Sequence, residues 1–123
     1  MTAPNHPHAI TIARNPTRVQ VTFNGTVVAD TRQALVLREG PLPPAQYIPR
    51  NDVKMEFLRP TTHSTHCPFK GDASYFTLSV NGKTAENAVW TYEAPLTAVA
   101  AIKDHVAFYP EKMDAIRELS PTS

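Results

Sequence analysis

Val19, Val21 and Phe23 alternate with Gln20 and Thr22, the period of a strand that buries one face. Asn24-Gly25 follows, a pair that tolerates positive φ and closes a type I′ hairpin. Residues 26–30 are expected to return as the second strand, and residues 34–37 to form a third. Val53, Met55 and Phe57 alternate with Lys54 and Glu56, predicting another strand that Pro60 closes. Phe76, Leu78 and Val80 then alternate with Thr77 and Ser79, and Asn81-Gly82 turns the chain back into residues 83–92. Asn-Gly between alternating runs is a strong short-range hairpin signal, and it occurs twice here. The pattern predicts a mainly antiparallel β domain.

The intervening segments read differently. Residues 1–17 carry Pro4, Pro7 and Pro16 with little periodicity and are expected to be an extended N-terminal arm. GPLPPAQYIP, residues 40–49, is expected to be a loop or irregular edge. THSTHCPFKGDASY, residues 62–75, reads as a loop feeding the second hairpin, because Pro68 follows Cys67 directly. Ala98, Val99 and Ile102 have helical spacing behind Pro95, residues 106–109 suggest a strand, and Met113, Ile116 and Leu119 suggest a short final helix. The expected fold is thus mainly β with one or two short C-terminal helices. One domain spans residues 18–119, between the arm and a frayed end at 120–123.

Composition narrows the function classes. Twelve prolines against four glycines disfavour long helices. A formal net charge of +1, without a basic run or stripe, gives no electrostatic footprint for nucleic acid. No apolar stretch approaches the roughly 20 residues that span a bilayer, and MTAPNHPHAI lacks the basic start and apolar core of a signal peptide. A single cysteine cannot form an intrachain disulfide, so a cytoplasmic setting is expected. A homodimer is compatible with the sequence but not derivable from it.

The residues that could carry chemistry fall into groups. Cys67 could be a nucleophile or redox group if a nearby cation lowered its pKa, and His63, His66 and Lys70 are close in sequence. A small, buried, inert thiol is the competing reading. His63, His66 and Cys67 also offer metal-ligand types, but a zinc signature needs a second ligand pair. His105, or His6 and His8, would have to complete it, so no metal and no cofactor is expected. Lys70-Gly71 lacks the glycine-rich loop and helix of a phosphate cradle. In YIPRND, Arg50 could clamp an anion and Asp52 could orient it or hold a histidine tautomer; an ordinary ion pair is the alternative. Trp90 and Tyr92 share one strand face, and Tyr75, Tyr47 and Tyr109 could join them as pocket wall or as core.

Taken in order, these motifs are similar to the bacterial and fungal family called domain of unknown function 427, sometimes filed under a nucleotidyltransferase-like name. The resemblance rests on HP near the start, RVxVxFNGxVVADT at 18–31, YIPRxDV at 47–53, THxTHCPxKGxAxY at 62–75, TAENAVWxYE at 84–93 and HVAFYP at 105–110. It implies a compact, β-tent-like domain of antiparallel sheets, a fold similar to that of B-type methionine sulfoxide reductases and the ligand-binding domain of cereblon. It implies no reaction, and no residue here independently supports the nucleotidyltransferase label. The paired CxxC zinc scaffold of other β-tent proteins needs more cysteines than this chain's one. The resemblance brings residues 47–52, 62–75 and 90–92 towards one cleft. Catalytic candidates are Cys67, His63 and Lys70; ligand-binding candidates are Tyr47, Arg50, Asp52, Thr65, His66, Gly71, Tyr75, Trp90 and Tyr92.

Three functions compete at this point. The domain could be an enzyme acting on a small polar metabolite through Cys67, a histidine base and an Arg50–Lys70 anion clamp. It could be a non-catalytic module that holds a small ligand against Trp90, Tyr92 and Tyr75. It could instead be a structural or protein-interaction domain whose motif loop packs the sheet.

Overall fold

The structure is a computed structural model that describes residues 9–119. Its strands are β1 (Ile10–Asn15), β2 (Arg18–Phe23), β3 (Thr26–Thr31), β4 (Ala34–Glu39), β5 (Ala45–Pro49), β6 (Leu58–Cys67), β7 (Gly71–Val80), β8 (Lys83–Tyr92), β9 (His105–Phe108) and β10 (Ala115–Leu119). A seven-stranded sheet runs in the order β1-β4-β5-β9-β8-β7-β6, and a three-stranded sheet in the order β10-β2-β3. Every strand pairing is antiparallel. Among the described residues no helix is long and apolar enough to cross a membrane.

Both Asn-Gly pairs form the expected turns, with φ of 50° and 77° at Asn24-Gly25 and 50° and 85° at Asn81-Gly82. These dihedrals match a type I′ turn, whose twist suits the flanking strands. The first turn is also tied to the chain's end. The Gly25 N–H donates to Asp114 Oδ2 at 2.8 Å, and backbone donors at Gly25 and Asn24 hold this carboxyl below the usual carboxylate range.

Several expected elements take other forms. Residues 53–57 are not a strand: 3-10 turns cover Arg50–Asp52 and Met55–Phe57, and Val53 makes one isolated bridge to Ala29. The alternation there reflects turns that tuck Val53, Met55 and Phe57 against the core. The proline-rich stretch is a turn only at its start, because Ala45–Pro49 forms β5. Pro49 ends the strand, and the 3-10 turn Arg50–Asp52 begins directly after it. The segment read as an arm is extended and paired with β4 over Ile10–Asn15, and residues 1–8 lie outside the described residues.

At the C-terminal end, Thr97–Ile102 forms 3-10 turns that bury Val99 and Ile102. The expected final helix is instead β10, which pairs along β2 from Ala115↔Thr22 to Leu119↔Arg18. Its helical spacing is outweighed by an open sheet edge able to satisfy backbone groups. Residues 120–123 lie outside the described residues.

The core divides between the two faces of the large sheet. Val19, Val21, Phe23 and Val28 of the small sheet pack with Ile48, Leu78, Val89 and Val106 of the large one. The other face carries Leu37, Tyr47, Tyr75 and Tyr92, covered by Val99 and Ile102. Neighbours such as Tyr47 and Ile48, or Ala107 and Val106, enter different clusters, as period-2 alternation requires.

Candidate functional site

The large sheet is curled, and the curl creates the site. Strands β4 and β7 are four steps apart in the sheet order. In a flat sheet that would be about 19 Å. Yet Lys70, in the turn from β6 to β7, reaches the carboxylate of Glu39 at the end of β4 at 2.5 Å. Both side chains are nearly buried, at 13% and 7% exposure. The tyrosine-bearing face is the inside of this curl.

The sheet also parts locally. Strands β5 and β9 pair through Ile48↔Val106 and Pro49↔His105 alone. Beyond those pairs, residues 45–48 and 108–111 line opposite sides of a recess of about 620 Å³. Pro43 and Pro44 of the preceding turn join its wall, and Val21 and Ile116 of the small sheet reach it from below. The volume falls within the range of small-molecule sites.

Inside, the lining is unusually phenolic. All four tyrosines of the chain, Tyr47, Tyr75, Tyr92 and Tyr109, and its one tryptophan, Trp90, border the recess together with Lys70 and Glu39. Trp90 Nε1 donates to the Tyr47 hydroxyl at 2.9 Å, with the rings edge to face at 6.1 Å between centroids. Trp90 also packs against Tyr109 at 4.5 Å. The Tyr75 hydroxyl shares a hydrogen bond of 2.9 Å with Thr65 Oγ1. Burial pushes the Tyr47 phenol up to about 12, with the Trp90 hydrogen bond opposing it. Burial also raises Tyr92 and Tyr109 above the ordinary phenol range. At neutral pH all three therefore keep their protons and stand as hydrogen-bond donors.

The stretch from residue 62 to 75 is not a loop. It is the end of the β6–β7 hairpin, in register as Thr65↔Ala73, His66↔Asp72 and Cys67↔Gly71. β6 is an edge strand, which accommodates Pro60 within it. Gly71 sits at φ 112°, and a Cβ there would lie 3.3 Å from the Ala94 carbonyl oxygen. The Leu96 N–H donates to the Lys70 carbonyl at 3.0 Å, so the turn that carries Lys70 is held on both sides.

The register sorts the candidates in this stretch. Cys67 and Thr65 share the face of Ala73 and Tyr75, and the free Cys67 is half-buried. His66 points the other way, where Nδ1 meets Asp72 Oδ1 at 2.7 Å on an exposed surface. His63 packs its ring against Tyr75 at 4.5 Å, in a shallow outer recess that also touches Glu86, Asn87 and Tyr109. Four residues of extended strand, about 13 Å, separate His63 from Cys67. Among the described residues no three His, Cys, Asp or Glu side chains gather as a metal shell, and His6 and His8 lie outside them. His105 Nδ1 instead donates to the Lys103 carbonyl at 2.8 Å.

Arg50 and Asp52 lie apart from the recess. The Arg50 guanidinium donates to Glu93 Oε2 at 2.9 Å and to Thr91 Oγ1 at 3.3 Å, and lies 5.7 Å from the Phe76 ring centre. Phe76 belongs to the opposite core cluster, so Arg50 and Lys70 do not form one clamp. Asp52 accepts from Thr31 Oγ1 at 2.6 Å and borders a separate polar groove with Arg18 and Asp30.

The structure thus brings together Tyr47, Lys70, Tyr75, Trp90 and Tyr92 and leaves Arg50, Asp52 and His66 elsewhere. Sequence reasoning missed Glu39. Its signal was parity, since Glu39 continues the inward positions Leu35 and Leu37 along β4. No curated protein matches the chain. With every quoted motif from residue 18 onward inside the matched span, the chain belongs to the family described as a domain of unknown function, DUF427, whose model covers residues 11–119.

Proposed function

We propose that this domain is a binding module for a small molecule with an aromatic or apolar body and polar edges, held in the recess between β5 and β9. The observation that carries this reading is the gathering of all four tyrosines and the single tryptophan around one cavity beside a nearly buried ion pair. A cavity walled by rings, with a few convergent polar groups, suits ligand recognition better than simple core packing. The exposed Leu42 on the rim extends the apolar surface outward. An enzyme that uses a Cys67–histidine pair draws little support, because the β6 register separates that thiol from both nearby histidines.

The test uses Trp90 as the reporter. Emission is followed while the protein is titrated with benzyl alcohol, a neutral ring that fits the cavity. A saturable change, lost in Tyr92→Ala, is the expected result. A response that stays linear in probe concentration, with no shift of the Trp90 indole resonance by NMR, would sink the binding reading.

A further inference from the structure

Each phenol in the recess carries one O–H proton, and a buried O–H needs an acceptor. The Tyr75 hydroxyl shares a hydrogen bond of 2.9 Å with Thr65 Oγ1, and its contact with Tyr109 helps to raise that neighbour's phenol. The other two phenols are not served in this way. The Tyr47 hydroxyl is the acceptor in its only hydrogen bond, from Trp90 Nε1 at 2.9 Å, so its own proton finds no acceptor among the described residues. The Tyr92 hydroxyl has no hydrogen-bond partner of either kind among the described residues.

Both residues are deeply placed, at 1% exposure for Tyr47 and 5% for Tyr92. The Tyr92 oxygen is nevertheless not sealed in. Among the described residues the only fully enclosed side-chain polar atom without a partner is Arg50 Nε, so what little surface Tyr92 keeps includes its hydroxyl, on the recess it lines. Tyr47 and Tyr92 pack in one cluster, close enough that a charge on Tyr47 would raise the Tyr92 phenol further. Two unmet donors thus serve one region of the recess. A ligand offering only N–H groups would leave both protons without an acceptor. Burial, the main reason the Tyr92 phenol resists ionising, equally penalises a ligand carboxylate at that point. A neutral carbonyl oxygen, with two lone pairs and no charge, meets both conditions.

Resting on the binding reading above, we infer that the recess takes a ring-bearing small molecule with a neutral carbonyl group (a ketone, ester or amide), whose oxygen accepts hydrogen bonds from the Tyr92 and Tyr47 hydroxyls.

Acetophenone and α-methylstyrene have nearly the same shape, the first with a carbonyl oxygen where the second has a methylene. Titration of the full chain with each, followed on the Trp90 indole N–H resonance by NMR, tests the inference. The alkene is the more hydrophobic, so the informative quantity is what Tyr92→Phe does to each affinity. That variant keeps the ring and removes a hydroxyl with no partner in the described protein, so it should fold with unchanged stability. It should weaken acetophenone about fivefold, the worth of one hydrogen bond, and leave α-methylstyrene unchanged or tighter. In the unmodified protein the infrared carbonyl stretch of bound, isotope-labelled acetophenone should lie below its position in hexane, a readout that needs no variant. An equal change for both probes, a hexane-like stretch, or benzoate binding more tightly than acetophenone overturns the carbonyl inference while the binding reading stands. If none of the three compounds binds, both fall.

Discussion

Lys70 sits in the turn leading into β7 and Glu39 at the end of β4, strands four steps apart in one sheet, yet their charged groups touch at 2.5 Å with little exposure. This contact is the clasp of the curled sheet. Taking both charges out of water is costly, and their attraction returns that cost only while both are present. Removing one partner ends the ion pair for the other.

The first prediction follows. Glu39→Leu or Lys70→Met alone should cost about 3 kcal/mol of folding stability, because each takes the ion-pair partner from a nearly buried charge. The double replacement Glu39→Leu with Lys70→Met should cost much less than the sum. Urea denaturation of the four species gives the coupling energy. A double variant that merely adds the two single losses would show that the pair is not coupled.

The phenols set an alkaline limit. Tyr47 is pushed up to about 12 in the folded protein, chiefly by burial, whereas in the unfolded chain it ionises near 10. A raised phenol pKa means the folded state keeps a proton that the unfolded state releases. The stability this provides is fully present below pH 10 and is lost as pH rises towards about 12. The slope is about 1.4 kcal/mol per pH unit for each such tyrosine. Tyr92 and Tyr109 act in the same direction. Urea midpoints measured across this window should therefore fall with pH, and Tyr47→Phe should make the fall shallower. An unchanged slope in Tyr47→Phe would contradict the assignment.

Gly71 allows a comparison between two kinds of cost. Gly82, at φ 85°, has nothing within 4 Å of the point where a Cβ would sit, so Gly82→Ala loses only the left-handed backbone preference, about 1 kcal/mol. Gly71, at φ 112°, carries the same kind of strain and also a 3.3 Å approach to the Ala94 carbonyl. Gly71→Ala should cost more stability than Gly82→Ala and should weaken the Lys70–Glu39 coupling measured above. Equal losses in the two variants would mean that the backbone approach at Gly71 has no consequence.

Much of the β framework was legible in the sequence because it depends on local period and turn chemistry. The β2–β3 and β7–β8 hairpins followed from alternation joined to Asn-Gly, and both turns adopt the positive φ values this pair favours. Elements whose form depends on distant partners were harder to read. β5 exists because β4 and β9 flank it, which outweighs the prolines around it. β10 exists because β2 offers an edge. The site divided in the same way. Trp90 and Tyr92 share a face by simple parity, whereas the Glu39–Lys70 contact arises from the curl of the whole sheet.

The last prediction concerns the stretch from residue 62 to 75, where sequence proximity and spatial proximity part. In THSTHC the histidines look like natural bases for the thiol. The paired register sends His66 to the exposed side, onto Asp72, and turns Cys67 towards the tyrosine face. His63 is occupied by the Tyr75 ring about 13 Å up the strand. Neither imidazole is then able to draw the thiol proton directly, since that needs hydrogen-bond reach. His66→Ala and His63→Ala should leave the rate of Cys67 alkylation by iodoacetamide unchanged from pH 6 to pH 8, the range over which an ordinary histidine titrates. A clear drop in rate in either variant, at unchanged stability, would mean that a histidine does reach the thiol and would restore the catalytic pairing.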